Sequence, residues 1–205
     1  MSRITYQQAF QNPLILIGKS PIILIPALIA AIVGIVLSFA MRNIFLSGMS
    51  WRVFLFSMIS LIPTFFCLAW NTLLMQHYYE GKNPSLQMTW IRLSEQITNV
   101  AIAFLLVAVL TSLGTFLFVI PGVFISTLLV LIVPHTAVTN ETFDKSIPAV
   151  SRFLFSENNF VLILVLILVG FGLNFIPYLG TFLANLFYSI YIPYAYLKGW
   201  GIAKD

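Results

Sequence analysis

The sequence predicts an all-α membrane protein: six transmembrane helices arranged as three helix-hairpin repeats, with amphipathic helices at the cytoplasmic face. Composition is the first observation behind this prediction, because 60% of the 205 residues are hydrophobic and only 8% are charged. A soluble domain of this size carries about 25% charged residues. The chain lacks the polar side chains to cover a water-facing surface, so we treat residues 1–205 as one integral membrane domain.

The length of the uncharged runs is the second observation. The longest run covers 45 residues, 96–140. As one helix it would reach roughly 67 Å, over twice the ~30 Å hydrocarbon core of a bilayer. Proline removes a backbone donor and disfavours helix in the residue before it, so we expect a hairpin break at Pro121 and Gly122. The run 158–197 carries Pro177 near its middle, which predicts a second hairpin break.

Charges and turn residues then set the approximate boundaries of each element. The predicted spans are 20–42, 52–76, 99–118, 121–138, 159–175 and 178–197. The first span is too long for the hydrophobic region of a signal peptide, which is about 7–15 residues, so we interpret it as uncleaved. Pro63 predicts a tilt or kink in the second span.

The distribution of charge predicts orientation. An even number of spans places both termini on one side, together with eight of the ten basic residues and all six acidic ones. The opposite side holds only Arg42 and Arg52. By the positive-inside rule both termini face the cytoplasm.

Spaced similarities indicate an internal repeat. An Ile-Pro dipeptide recurs with its proline at positions Pro63, Pro121 and Pro177, and the successive spacings are 58 and 56 residues. Arg92 and Arg152 are 60 residues apart. These spacings favour three units, each made of a helix followed by a hairpin.

Three segments, 3–12, 84–98 and 146–157, are predicted as interfacial helices. In 84–98, Asn83 is the expected N-cap, with Pro84 at the first helical position. Basic residues on such helices suit anionic lipid headgroups, which makes Arg92, Arg152 and Lys145 candidate contacts. The alternative is that these helices simply extend the spans.

Uncharged polar residues within the spans are the candidates for a polar path. We single out Asn174, Asn185 and Tyr188 in the last hairpin. The alternative is that buried amides and hydroxyls only hold neighbouring helices together by hydrogen bonds.

The sequence offers little for catalysis. His77 with Glu80, and His135 with Glu141, could together hold a metal ion, but a histidine beside tyrosines is more typical of an aromatic belt at the membrane interface. We therefore assign no catalytic residue, no metal site and no cofactor, and we expect no enzyme. The aromatic residues lie in uncharged runs, which argues against nucleic-acid binding, and Cys67 is expected to be a core residue.

One stretch of the chain resembles a known family. It contains a Pro-Gly pair, a second proline after an apolar run, an Ala-x-x-Arg helix and an Asn at the head of the next span: Pro121, Gly122, Pro134, Ala149, Arg152 and Asn159. This pattern resembles the YciC-type uncharacterised bacterial inner-membrane protein family, which is related to the membrane domain of glycerophosphoryl diester phosphodiesterases. Phe153 stands where such sequences usually carry Ser. The resemblance implies a multi-pass protein of the bacterial cytoplasmic membrane, without the separate phosphodiesterase domain.

The functional expectation follows from these points. We expect a non-catalytic protein that supports envelope or lipid organisation, with membrane lipids as partners and a second copy or another membrane protein as further candidates. The alternative is a transporter or lipid-handling permease that uses the polar residues of the last hairpin.

Overall fold

A computed structural model describes residues 4–45, 51–117, 119–156, 159–176 and 179–203. Within these ranges the chain is helical and contains no strand, which confirms the predicted all-α class. The helices in chain order are α1 Tyr6–Lys19, α2 Leu24–Phe45, α3 Trp51–Tyr79, α4 Leu86–Glu95, α5 Ile97–Leu117, α6 Val119–Leu129, α7 Ile132–Thr139, α8 Phe143–Ser156, α9 Asn159–Leu173 and α10 Gly180–Gly199. A short 3-10 helix, Pro21–Ile23, joins α1 to α2.

Among the residues that the structure describes, three helical stretches are long and apolar enough to cross a membrane: Met58–Tyr79, Ile97–Thr115 and Ile120–Thr139. They correspond to the second, third and fourth predicted spans. Two pairs of helices, each bent at a short break, raise the number to five if each pair forms one span. The chain is therefore a membrane protein by the length and composition of its helices, although these criteria alone do not reach the predicted six spans.

The first and fifth predicted spans are each preceded by an amphipathic helix that is sharply bent relative to the apolar helix. Tyr6–Lys19 meets Pro21–Leu37 at 111°, and Phe143–Phe155 meets Asn159–Leu173 at 99°. Helices α1 and α8 thus run across the apolar helices that follow them. Each of these two amphipathic helices is thus separated from the following apolar helix by a sharp bend.

Helix α10 occupies the predicted span 178–197, but it is not among the stretches that are apolar enough along their length to cross a membrane. It packs against α1, α2, α3 and α9, and nearly every residue from 189 to 199 is buried. In membrane proteins, polar side chains within the spans face the interior of the bundle and not the lipid. Its lower apolarity is therefore consistent with a central position in the bundle.

Helix α5 forms an antiparallel hairpin with α6 and α7. At one end, a Cβ added to Gly114 would lie 2.9 Å from the Cα of Gly122. At the other end, Asn99 Nδ2 donates to both the carbonyl oxygen and Oδ1 of Asn140 at 3.0 Å. Small residues let two backbones approach this closely. The glycine pair therefore allows α5 and α6 to pack tightly at the end where the chain reverses.

The positions of the predicted breaks need correction. Helix α6 begins at Val119, so Pro121 and Gly122 lie in its first turn and not between two helices. Proline is tolerated there because the first backbone N–H groups of a helix lack intrahelical partners. Pro177 lies outside the described residues. Pro63 is accommodated within the single helix α3.

The N-terminus of α4 also differs from the prediction. Ser85, not Asn83, is the N-cap, and its Oγ accepts a hydrogen bond from the Met88 N–H at 3.4 Å. Pro84 therefore precedes the helix by two residues, since α4 begins at Leu86. Both serine and asparagine are strong N-cap residues, so the sequence did not distinguish between them.

Helices α9 and α10 form a second antiparallel hairpin. The Tyr188 hydroxyl donates to the Ile167 carbonyl at 2.8 Å, and Gly170 makes room for the Tyr188 ring. Nearer the reversal, a Cβ on Gly180 would lie 2.7 Å from the carbonyl oxygen of Asn174. The small residues again lie where the two helices are closest.

Two ends of the bundle can now be distinguished. The charged end holds the C-termini of α3 and α10 and the N-termini of α5 and α9. The basic and acidic residues placed there are Lys19, Glu80, Lys82, Arg92, Glu95, Glu141, Asp144, Lys145, Arg152 and Lys198. The hairpin end holds the reversals between α5 and α6 and between α9 and α10.

We predict that Gly122→Ala destabilises the protein by about 1–3 kcal/mol through overpacking. The new Cβ would lie 2.6 Å from the backbone nitrogen of Thr115 and 2.7 Å from its Cα, and backbone atoms cannot rotate away. Reversible unfolding in mixed micelles measures the change. Gly172→Ala is the matched control, because nothing lies within 4 Å of its added Cβ. Equal stability of the two variants would contradict the close contact.

Candidate functional site

A cavity of about 250 Å³ lies between α3, α5, α6, α9 and α10, in the half of the bundle nearer the hairpin end. Its walls are mostly apolar, and no Lys, Arg, His, Asp or Glu is among the described residues that line it. Side-chain hydroxyls from three helices line it at intervals: Ser60, Thr64, Thr111, Ser112, Thr115 and Ser126. Apolar walls with a few polar groups are typical of binding sites for small or amphipathic molecules.

Two of these hydroxyls, those of Thr111 and Ser112, differ from the others because they lack a hydrogen-bond partner in the described part of the chain. Thr115 donates to the Thr111 carbonyl at 2.9 Å and Ser126 donates to the Gly122 carbonyl at 2.8 Å, so both are satisfied within their own helices. The hydroxyls of Thr111 and Ser112 are buried without a hydrogen-bond partner among the described groups. Leaving a buried polar group unpaired costs about 1–3 kcal/mol. Their position at the cavity means that a bound molecule could satisfy them.

The structure brings two of the three predicted path residues to this cavity. Asn174 lies at its exposed rim, and its amide nitrogen donates to the Gly170 carbonyl at 3.1 Å. Tyr188 contributes its ring to the wall while its hydroxyl is bonded to α9. The polar capacity of both residues is thus partly used within the protein.

Asn185 does not line the cavity. Its Oδ1 accepts a hydrogen bond from Thr64 Oγ1 at 3.0 Å, and its side chain packs where a Cβ of Gly34 would otherwise lie. This amide therefore connects α10 to α2 and α3.

Sequence reasoning did not select the residues that α3 contributes, Ser60 and Thr64. A signal was present, because Ser60 and Thr64 are four residues apart, as are Thr111 and Thr115. Residues four apart share a helix face. Because the second and third predicted spans run in opposite directions, both pairs lie in the half of the bundle nearer the hairpin end. Small polar residues repeated in this way on several helices predict a common polar-lined space.

The predicted headgroup contacts lie at the charged end but differ in their surroundings. Arg92 Nη2 donates to the Val138 carbonyl at 3.2 Å, in the last turn of α7. A positive charge at the C-terminus of a helix interacts favourably with the helix dipole. Lys145 and Arg152 are exposed on α8, and neither forms an ion pair within 4.0 Å in the described part of the chain. Arg92 thus has a structural contact, whereas the α8 pair faces outward.

The two histidines differ in their surroundings: His135 has a partner at each ring nitrogen, whereas the carboxylate proposed to act with His77 is paired with a lysine. His135 Nδ1 lies 3.2 Å from the Tyr196 hydroxyl and its Nε2 lies 3.1 Å from Glu141 Oε2, so both ring nitrogens are engaged. Glu80, three residues after His77, is paired with Lys82 at 2.6 Å, and this hydrogen bond lowers the pKa of the Glu80 carboxyl. Over the described ranges, no group of three or more His, Cys, Asp or Glu side chains could hold a metal ion.

A polar cleft of about 620 Å³ lies at the charged end between α1 and the ends of α3 and α10. Lys19 and several glutamines line it, and Asn12 Nδ2 donates to the Tyr194 hydroxyl at 2.9 Å. None of the predicted site residues lines this cleft.

No protein-family model, curated protein or solved structure matches this chain. The function is therefore inferred from the geometry of the cavity and of the charged end.

We predict that Asn185→Ala lowers the free energy of unfolding by about 0.6–1.7 kcal/mol, which spans the average and the largest value measured for hydrogen bonds between membrane helices. The change removes the partner of the Thr64 hydroxyl. Asn174→Ala, at the exposed rim, should alter the stability by less than about 0.5 kcal/mol. Unfolding of both variants in the same mixed micelles measures the difference. A larger loss for Asn174→Ala would show that we have reversed their roles.

Proposed function

We propose that this chain is a non-catalytic, six-span protein of the bacterial cytoplasmic membrane that organises lipid at its charged end, with both termini cytoplasmic. The observation that carries the proposal is the surface of α8, which crosses α9 at 99° and presents basic and apolar side chains together. The pattern that resembles the YciC-type family agrees with this proposal.

The faces of α8 have distinct roles. Val150, Phe153 and Leu154 are buried against the bundle. Phe155 is 62% exposed beside the exposed Arg152. An amphipathic helix in the membrane plane buries its apolar side chains at the acyl boundary and places its cations among the headgroups. Each such cation contributes about 1 kcal/mol of attraction to an anionic surface.

The direction of the helices supports six spans. Hairpin contacts make α5 antiparallel to α6 and α7, and α9 antiparallel to α10. Helix α3 is parallel to α10, because Thr64 bonds to Asn185 and Asn71 bonds to the Ser189 carbonyl further along both helices. The α2–α3 pair completes six passes between the two ends of the bundle.

The element order supports three repeated units. A helix precedes each antiparallel pair: α1 before α2 and α3, α4 before α5 and α6–α7, and α8 before α9 and α10. Both ends of the described chain also meet at the charged end, where the Ile4 N–H donates to Asn159 Oδ1 at 3.3 Å and Ile4 packs near Gly199.

We predict that Lys145→Glu combined with Arg152→Glu reduces the enrichment of anionic lipid around the protein by more than about tenfold, because both attractions become repulsions. The protein is purified from membranes that contain both neutral and anionic lipids. The lipid that it retains is then measured by mass spectrometry. The control, Lys145→Arg combined with Arg152→Lys, keeps both charges and should retain the native enrichment. Unchanged enrichment in the charge-reversed protein would refute the proposed role of α8.

A second candidate, a lipid-handling permease, is favoured by the cavity that Asn174 and Tyr188 line. To separate the permease from lipid organisation, the same purified protein is reconstituted into vesicles, and the movement of labelled lipid between leaflets is measured. Movement above that of empty vesicles supports the permease, and movement equal to theirs leaves lipid organisation as the function.

A further inference from the structure

We propose that the cavity between α3, α5, α6, α9 and α10 binds one acyl chain of a membrane lipid, with the ester carbonyl at the hydroxyls of Ser112 and Thr111. This inference goes beyond the proposed function, because it depends on the interior of the bundle and not on the charged end. It names a ligand class for a cavity whose lining includes two of the predicted path residues, Asn174 and Tyr188.

The two unpartnered hydroxyls are the first argument. Ser112 is 2% exposed, and its Oγ, like that of Thr111, has no hydrogen-bond partner among the described groups. In an apolar interior an unpaired donor is costly. A carbonyl oxygen in the cavity would accept from these hydroxyls, whereas a pure hydrocarbon would leave them unpaired.

The gradient of polarity along the cavity is the second argument. Its rim near the hairpin end carries Thr115 and Asn174, which are both exposed. Its deeper wall consists of apolar residues, among them Leu68, Val130 and Ile167, and all three are buried. An amphiphile therefore fits with its polar end at the rim and its hydrocarbon chain toward the centre of the bundle.

The size of the cavity limits the ligand. An engineered apolar cavity of about 150 Å³ binds benzene, and pockets for drug-sized ligands begin at about 300 Å³. The cavity of about 250 Å³ lies between these values. It accommodates a segment of one chain, while the headgroup and any second chain of the lipid remain outside.

The absence of charge in the described lining identifies the polar group. No lysine, arginine or histidine is present there to pair with an anion. Placing an ionised carboxylate or phosphate at this depth without a partner is strongly unfavourable. An uncharged ester carbonyl matches neutral hydroxyl donors, and acyl esters are the most abundant such groups beside any membrane protein.

The test uses a phosphatidylcholine probe with a photoreactive diazirine on one acyl chain. Its neutral headgroup keeps the result independent of anionic-lipid preference at α8. The full-length protein in nanodiscs is irradiated, and adducts are located by peptide mass spectrometry. We expect adducts at Leu68, Val130 or Ile167, and we expect unlabelled phosphatidylcholine to compete with them.

Two pairs of variants make the test specific. Thr115→Trp should block the rim and reduce cavity adducts at least about tenfold. Its control, Leu113→Trp, adds the same ring on α5 at an exposed residue that does not line the cavity. Ser112→Ala with Thr111→Val should weaken labelling by about two- to tenfold, the effect of lost hydrogen bonds. Ser189→Ala removes an equally buried, unpartnered hydroxyl away from the cavity and should leave labelling unchanged.

Adducts confined to outward-facing residues such as Ile32 and Val36 would overturn the proposal, since the cavity would then hold no acyl chain. Equal cavity labelling in Thr115→Trp and Leu113→Trp would overturn it as well. If the Ser112 and Thr111 double variant fails to fold, the comparison at Thr115 and Leu113 still decides. Neither outcome affects the charge-reversal result at α8.

Discussion

The fold depends on one constraint: in the hydrocarbon core of a membrane, every backbone polar group must find its partner within the protein. Continuous helices meet this requirement, and polar side chains inside them mostly bond to their own backbone. Thr72 donates to the Leu68 carbonyl at 2.7 Å and Thr127 to the Val123 carbonyl at 2.8 Å. In the described part of the chain the buried hydroxyls of Thr111, Ser112 and Ser189 have no such partner, and of these three Thr111 and Ser112 line the cavity.

The same constraint explains how the helices pack. Lipid is as apolar as the helices, so association depends on close contact and on a few hydrogen bonds between helices. Glycines supply the close contacts at Gly114 with Gly122 and at Gly170 with Tyr188. Amides supply the bonds, and α10 receives two of them from α3, through Asn185 and the Ser189 carbonyl. A central helix held in this way can be less apolar than its neighbours and still be stable.

Sequence reasoning predicted the features that depend on composition and on the length of uncharged runs. It predicted the all-α class, and its second, third and fourth spans correspond to stretches that can cross a membrane. It placed the α5–α6 break at Pro121 and Gly122 because proline interrupts a helix interior, but proline is also accepted in a first turn. Local chemistry alone does not separate these two positions.

The candidate site was less accessible to sequence reasoning. The exposed pair Lys145 and Arg152 followed from the amphipathic pattern, whereas the contact of Arg92 with α7 depends on how two distant segments meet. The cavity likewise depends on the rotation of α3, α5 and α9 about their own axes. Periodicity identifies a polar face but not the helix that it meets, which is why Asn185 was grouped with Asn174 although they face different neighbours.

The central claim, that the helices run between a cytoplasmic charged end and a hairpin end on the opposite side, is tested most directly by labelling with a membrane-impermeant maleimide. The single cysteine, Cys67, is buried and can be replaced by serine. Single cysteines are then placed at Gln7 and Lys145, at the charged end, and at Asn174, at the hairpin end. The account predicts that the first two react only from the cytoplasmic side and the third only from the other. Reaction of positions 7 and 174 from the same side would contradict it.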